Sequence, residues 1–224
     1  MTMFKPDIYI SDLIAFLKPA LGERLVYVGL QGSYLRGEAT QSSDIDVMTV
    51  IRDITPADLD VYRSAIQSLG NAEQSCGFIC GQDELLHWNP LEICHLLHTT
   101  EDHLGTLASL VPAYTREDVR AYVKISVSNL CHEICHRYVH ATPERNAQAL
   151  PGTYKGVFFI LQNLHWLRTG CFIGTKAALL AALDGPDRQV LEASLALSSG
   201  AAACDFDAAF ALLLSWCRET LLNT

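Results

Sequence analysis

The sequence predicts an α+β protein, a small mixed β-sheet covered by helices and then an all-helical half. Short β-branched runs interleave with helical patterns up to about residue 110. From Thr115 onward only long helical periodicities occur, and Gly105 and Pro112 punctuate the change. The expected domains are residues 1–112 and residues 113–224, the second a helical bundle.

Each element has its own signal. Ile8, Ile10, Leu13, Ile14, Phe16, Leu17 and Leu21 recur at helical spacing and predict a helix over 7–21. Residues 24–30 are apolar and β-branched in part and run into Gly-Ser, as a buried strand would. Residues 44–51 (DIDVMTVI) predict a second strand. Thr55-Pro56 sets a capping residue before a proline at the first helical position, and Leu59, Tyr62, Ile66 and Leu69 carry that helix's apolar face to Gly70. The run 76–80 (CGFIC) is strand-like, and 91–97 is a stronger strand candidate. Helices follow at 116–140, 154–169, 175–183, 187–197 and 205–222, each bounded by Gly, Pro or Asp signals.

Composition excludes several classes of function. Half of the 224 residues are apolar and 18% are charged, ample material for a core. No uncharged apolar stretch reaches the ~18 residues that a bilayer span needs. No basic segment followed by an apolar run opens the chain, so no export signal is expected. A net charge of −9 argues against nonspecific nucleic-acid binding. Eight cysteines without an export signal read as reduced thiols in a cytoplasmic protein, most acting as small hydrophobes on apolar patterns (Cys135 and Cys217, for example).

The chemistry concentrates between Val28 and Ile51. Successive strand side chains alternate faces, so Asp44 and Asp46 share one face, about 7 Å apart along the backbone, while Ile45 points to the core. Two exposed carboxylates so spaced suit a divalent cation, and hard oxygen ligands select Mg²⁺. The Gly32-Ser33 turn supplies the complement. Glycine lets the backbone approach a phosphate, and the Ser33 hydroxyl and turn amides can donate to anionic oxygens. Arg36 lies between Gly32 and Gly37, where it either touches phosphate or faces solvent. A phosphate cradle followed by a carboxylate pair is equipment for metal-assisted phosphoryl or nucleotidyl transfer.

The string Gly32-Ser33, three residues, Gly37, five residues, Ser43-Asp44-Ile45-Asp46 resembles the signature of the DNA polymerase beta-like nucleotidyltransferase superfamily. The two-part layout is similar to the bacterial aminoglycoside nucleotidyltransferases, and the segment from Tyr154-Lys155 to Thr175-Lys176 resembles the helical region of other bacterial members. The resemblance implies that Asp44 and Asp46 bind Mg²⁺-nucleotide and that Gly32 and Ser33 hold the triphosphate; Arg36, Ser43 and Lys155 are further candidates for contact with the nucleotide. It implies a third carboxylate as metal ligand or base. Glu92 is the choice, at the start of the strand expected over 91–97, with Glu73 and Glu84 as rivals beside CGFIC. The implied reaction moves a nucleoside monophosphate from a nucleoside triphosphate such as ATP to an acceptor hydroxyl, for instance on an aminoglycoside. The alternatives are an antitoxin-type enzyme that modifies a protein hydroxyl and an inactive nucleotide-binding homologue.

Lys155 opens the helix expected over 154–169, where a cation opposes the helix dipole unless an anion is near; the plain alternative is a snorkelling surface lysine. Lys176 is a second basic residue expected near the nucleotide. Cys76, Cys80, Cys94 and His98 lack the tight two-residue knuckle of a zinc site and read as core cysteines. His132, His136 and His140, with Cys131 and Cys135, stand at i, i+4 spacing, which allows a bidentate metal grip. No His-Glu-x-x-His arrangement accompanies them, and they read as the polar edge of a partly buried helix.

Overall fold

The structure is a computed structural model that describes residues 5–70, 72–199 and 205–224. It divides into two compact units, Met1–Tyr114 and Thr115–Thr224. The first holds α1 (Pro6–Leu21), β1 (Leu25–Gln31), α2 (Gly32–Leu35), β2 (Ile45–Ile51), α3 (Pro56–Ser68), β3 (Ser75–Cys76), β4 (Ile79–Gly81), α4 (Gln82–Leu86), α5 (Pro90–His98) and β5 (Glu101–Leu104). The second holds α6 (Arg116–His140), α7 (Pro143–Lys155), α8 (Val157–Thr169), α9 (Lys176–Ala182), α10 (Gly185–Ser199) and α11 (Phe206–Asn223). The α+β class expected from the sequence is the one found.

The sheet runs β3-β2-β1-β5, and β4 also pairs with β2. β1 is antiparallel to β2 and to β5, while β3 and β4 lie parallel to β2, so the sheet is mixed. Alternation along the strands gives it two apolar faces. Val28, Leu30, Ile45, Val47 and Ile51 pack with Ile10, Leu13 and Leu17 of α1 and with Tyr62 and Ala65 of α3. Tyr27, Met48 and Val50 pack on the other side with Cys80, Leu85 and Leu107, joined by Leu96 and Leu97 of α5. Each such buried leucine or isoleucine stabilises by about 1.5–3 kcal/mol, which is what holds a sheet of such short strands. In α3 the buried face is Tyr62 and Ala65, and Leu59, expected there, is 42% exposed.

One polar knot anchors α3. Thr55 and Asp58 form a reciprocal capping box, and the Asp58 carboxylate also accepts from both terminal nitrogens of Arg24 at 2.9 and 2.6 Å. The Arg24 guanidinium, helped by Thr55, holds the buried Asp58 carboxyl well below the usual carboxylate range against the opposing effect of burial. A depressed carboxyl pKa stabilises the fold above the unfolded value near ~4, and that stabilisation is lost as pH falls through the folded value. Asp58→Ala is expected to cost about 2–3 kcal/mol in urea unfolding at neutral pH. The gap to wild type should shrink as pH drops below ~4; a pH-independent gap would remove the ion pair from the account.

Two sequence expectations in this unit fail. Residues 91–97 are not a strand: they lie in α5, whose start is marked by Asn89 accepting from the Leu91 amide and by Pro90 at the first helical position. Residues 76–80 hold the end of β3 and the start of β4, separated at Gly77, where a Cβ would lie 2.0 Å from the Val47 carbonyl oxygen. α2, α4 and β5 were not expected.

In the helical unit Val119, Val123, Val127, Leu130 and Ile134 form the buried stripe of α6, and the last four pack with Tyr154, Phe158, Leu161, Leu213 and Trp216. Tyr154 donates to the Ala209 carbonyl at 2.7 Å and Trp216 to Asp187 at 2.7 Å, so both large side chains are buried with their polar atoms satisfied. The helix expected over 154–169 is instead two, with Lys155 ending α7 and Val157 opening α8 after Gly156. The seven described cysteines are free. Cys80, Cys94 and Cys217 are buried, whereas Cys135, expected in the core, is exposed; Cys204 lies outside the described residues. Among the described residues no helix is long and apolar enough to cross a membrane.

Candidate active site at the ends of β1 and β2

The antiparallel register sets Gln31, the last residue of β1, opposite Asp46. The chain then turns at Gly32, with φ of 72°, into the single turn of α2, and turns again at Gly37, with φ of 68°. Both angles fall in the left-handed region that glycine enters without strain. The loop is tied by Glu38 N donating to the Ser33 carbonyl at 2.9 Å and by Thr40 N donating to the Ser43 hydroxyl at 2.8 Å. It returns through Ser43 and Asp44 into β2.

Asp44 is exposed just ahead of β2, and Asp46 is half-buried within it. Ile45 between them is buried in the α1 core, so both aspartates project from the opposite face. The Gly32 backbone is pressed against Asp46: a Cβ at position 32 would lie 1.8 Å from the Asp46 Oδ2. The turn and the Asp46 carboxylate therefore share one spot in this unit, with Asp44 two residues ahead along the chain. The turn offers backbone amides and the Ser33 hydroxyl, and the aspartates offer hard oxygen ligands for a cation such as Mg²⁺. Gln31 Nε2 donates to Thr100 Oγ1 at 2.8 Å and ties this end of β1 to the start of β5.

The other expected residues divide. Ser43 closes the loop through its bond from Thr40. Arg36 donates to Glu38 at 3.0 Å, and both side chains are largely covered. Arg36 also lies near His95 of α5, whose pKa burial pushes down to about 4, with the Arg36 charge as the next cause and His98 after it. That neighbour was invisible while 91–97 was read as a strand. Lys155 is exposed in the last turn of α7, where a cation suits the helix dipole, so the conflict that suggested an anion beside it disappears. Lys176, at the start of α9, has its ammonium 5.8 Å from the Phe158 ring centroid.

Glu92 loses its warrant as third carboxylate. It is exposed in the first turn of α5, and its Oε2 accepts from the Trp88 indole at 2.6 Å. Glu84 follows β4, whose Gly81 pairs with Ile51 at the far end of β2 from Asp46. Glu73 is exposed in the short turn that leads into β3. The residue paired with Asp46 on the adjoining strand is Cys76. Its thiol is hydrogen-bonded to the Asp46 carboxylate, and burial first, then that negative charge, pushes its pKa up. Sequence reasoning missed Cys76 because CGFIC carried no register. Among the described residues, one group of three histidine, cysteine or acidic side chains has its ligand atoms close enough together to share an ion, Asp7, Glu101 and His103. Glu101 pairs with Leu30, on the α1 face of the sheet, away from Asp46.

No protein-family model matches the sequence. The search of curated proteins also finds no match. Among solved structures, spectinomycin adenyltransferase AAD(9) from Enterococcus faecialis, solved with ATP and spectinomycin, is similar over 96% of this chain and 98% of its own, with a TM-score of 0.59 and 15% identity. At that identity the likeness is one of fold: this chain shares the fold of that adenyltransferase.

Proposed function

We propose that the protein is a nucleotidyltransferase that moves a nucleoside monophosphate from a nucleoside triphosphate, ATP first among them, to a hydroxyl of a small-molecule acceptor such as an aminoglycoside. The observation that carries this reading is the packing of the Gly32 turn against the Asp46 carboxylate, which supports taking the turn as a phosphate cradle and the carboxylate as a ligand of the same cation. The shared fold with an adenyltransferase solved with ATP and spectinomycin supports it.

In this reading Gly32 lets the turn come up to the triphosphate, and Ser33 and the turn amides donate to its oxygens. Asp44 and Asp46 would hold Mg²⁺, which when bound supplies charge neutralisation for the phosphates. The acceptor oxygen forms its bond to the α-phosphorus as the α–β phosphoanhydride breaks, pyrophosphate leaves, and the acceptor's hydroxyl proton passes to water. The free thiols of the described cysteines suit a reducing cytoplasm.

A second reading is nucleotide binding without transfer, and Cys76 favours it, because the residue paired with Asp46 on the adjoining strand carries a thiol and not a carboxylate. Labelled ATP and Mg²⁺ with a panel of aminoglycosides and aminocyclitols separates the readings. Label on a small molecule supports the enzyme, label on added protein supports an antitoxin-type enzyme, and ATP binding without label supports the binder. Cys76→Asp adds a hard, charged ligand beside Asp46 and is expected to tighten Mg²⁺-ATP by roughly tenfold, about 1.4 kcal/mol. An unchanged affinity would detach Cys76 from the site.

A further inference from the structure

The nucleotide reading uses none of the three histidines of α6, and all three are exposed. His132, His136 and His140 follow one another at i, i+4 and i+8, so their imidazoles form a row along one face of the helix. The rings of His136 and His140 lie with centroids 4.5 Å apart, and those of His132 and His136 lie 5.8 Å apart. The row lines a surface cavity of about 480 Å³, completed by Glu133, Arg137 and Arg145. The Arg137 charge is met there by Glu133, and its other terminal nitrogen donates to Thr153 at 2.7 Å. The histidines are the polar edge of a partly buried helix, as expected, and they form an imidazole ladder beside a cavity.

We propose that this ladder is a binding site for a first-row divalent cation of the imidazole-preferring class, Zn²⁺, Ni²⁺ or Cu²⁺, chelated chiefly by His136 and His140. Two nitrogens that each bind one ion at about 2.0–2.1 Å in tetrahedral geometry stand about 3.3 Å apart. Neighbouring rings at 4.5 Å reach that separation by rotation about their own side-chain bonds. The helix fixes the spacing beforehand, so little order is lost on binding. Imidazole selects these ions over Mg²⁺, which takes oxygen ligands, so the ladder and the aspartate pair would not compete for one cation. Two protein ligands leave the remaining coordination positions open to water or to a small anionic ligand in the cavity. His136 is shared by both adjacent pairs, so His132 with His136 is a weaker second chelate.

Titration of the full chain with Ni²⁺, followed by calorimetry, tests the assignment. His136→Ala should weaken Ni²⁺ binding at least about tenfold because it breaks both pairs, His140→Ala should rank next, and His132→Ala should cost no more than about threefold. His136→Gln, which keeps a polar side chain of similar reach, should behave as His136→Ala if loss of the imidazole is the cause. Asp46→Asn should leave Ni²⁺ binding at the ladder unchanged. Equal small losses for all three histidines would mean independent surface imidazoles, and a loss with Cys135→Ser as large as with His136→Ala would move the ion to the neighbouring thiol stripe. Either result overturns the proposal.

Discussion

Asp46→Asn is expected to remove Mg²⁺-dependent ATP binding while leaving the fold intact, with at least about a hundredfold loss of affinity. That exceeds the roughly 10–100-fold cost of deleting an outer partner of a metal ligand, because the change strikes a ligand itself and removes one of its two charges. Asparagine matches aspartate in shape, so the packing against Gly32 is preserved and the strand register of β2 is not disturbed. Asp44→Asn should act in the same direction, with still less effect on stability, since Asp44 is exposed ahead of the strand. ATP titration by calorimetry with and without Mg²⁺ makes the measurement, and thermal unfolding of the free proteins controls for the fold. If both variants bind Mg²⁺-ATP as wild type does, the aspartates do not hold the nucleotide's cation.

The aspartates were legible in the sequence because they depend on the shortest-range rule available, alternation along a strand. Asp-Ile-Asp at the head of an apolar run needs no tertiary information to set two carboxylates on one face and Ile45 in the core. Gly32 and Gly37 were legible for a similar reason, since left-handed backbone at φ of 72° and 68° is what glycine is used for. The third ligand was not legible, because it is a question of which strand lies beside β2. β3 is two residues long and carries no periodicity of its own, and its pairing through Ser75 and Cys76 is set by Gly77, whose missing side chain lets the backbone close on Val47. Glu92 failed through a different competition. The run Leu91-Glu92-Ile93-Cys94-His95-Leu96-Leu97 reads equally well at period 2 and period 3.6, and the deciding signals, Asn89 as cap and Pro90 at the first turn, lie just outside it. In the helical half the long amphipathic stripe of α6 was readable, while α7, although Thr142-Pro143 opens it as Thr55-Pro56 opens α3, was hidden by Pro151 and Gly152, residues that read as loop. Packing against α10 and α8, as in the Ser194 hydroxyl donating to the Tyr154 carbonyl at 2.9 Å, supports the helix across those two residues.

Gly32→Ala and Gly37→Ala form a matched pair that isolates what the turn does. Both glycines have φ near 70°, so alanine at either position carries backbone strain of roughly 1–3 kcal/mol, which should appear as similar losses of stability in urea unfolding. Their surroundings differ. A Cβ at Gly37 meets no atom within 4 Å, whereas a Cβ at Gly32 would lie 1.8 Å from Asp46 Oδ2 and 2.7 Å from its carboxyl carbon. One methyl group at position 32 therefore has to displace the carboxylate or the turn, and it also fills the space through which a phosphate would approach. ATP affinity in the presence of Mg²⁺ should fall by at least about thirtyfold in Gly32→Ala, about 2 kcal/mol, and by less than about threefold in Gly37→Ala. Ser33→Ala falls between them, at the 0.5–1.5 kcal/mol or so of one lost hydroxyl donor. The coupling is itself measurable. Once Asp46→Asn has weakened the cation site, Gly32→Ala should cost less than it does in wild type, so the double-mutant cycle should show an interaction energy of about 1 kcal/mol or more. Additive losses would mean that the turn and the carboxylate act separately, and equal losses at Gly32 and Gly37 would mean that strain alone, not the approach of backbone to Asp46, sets nucleotide affinity.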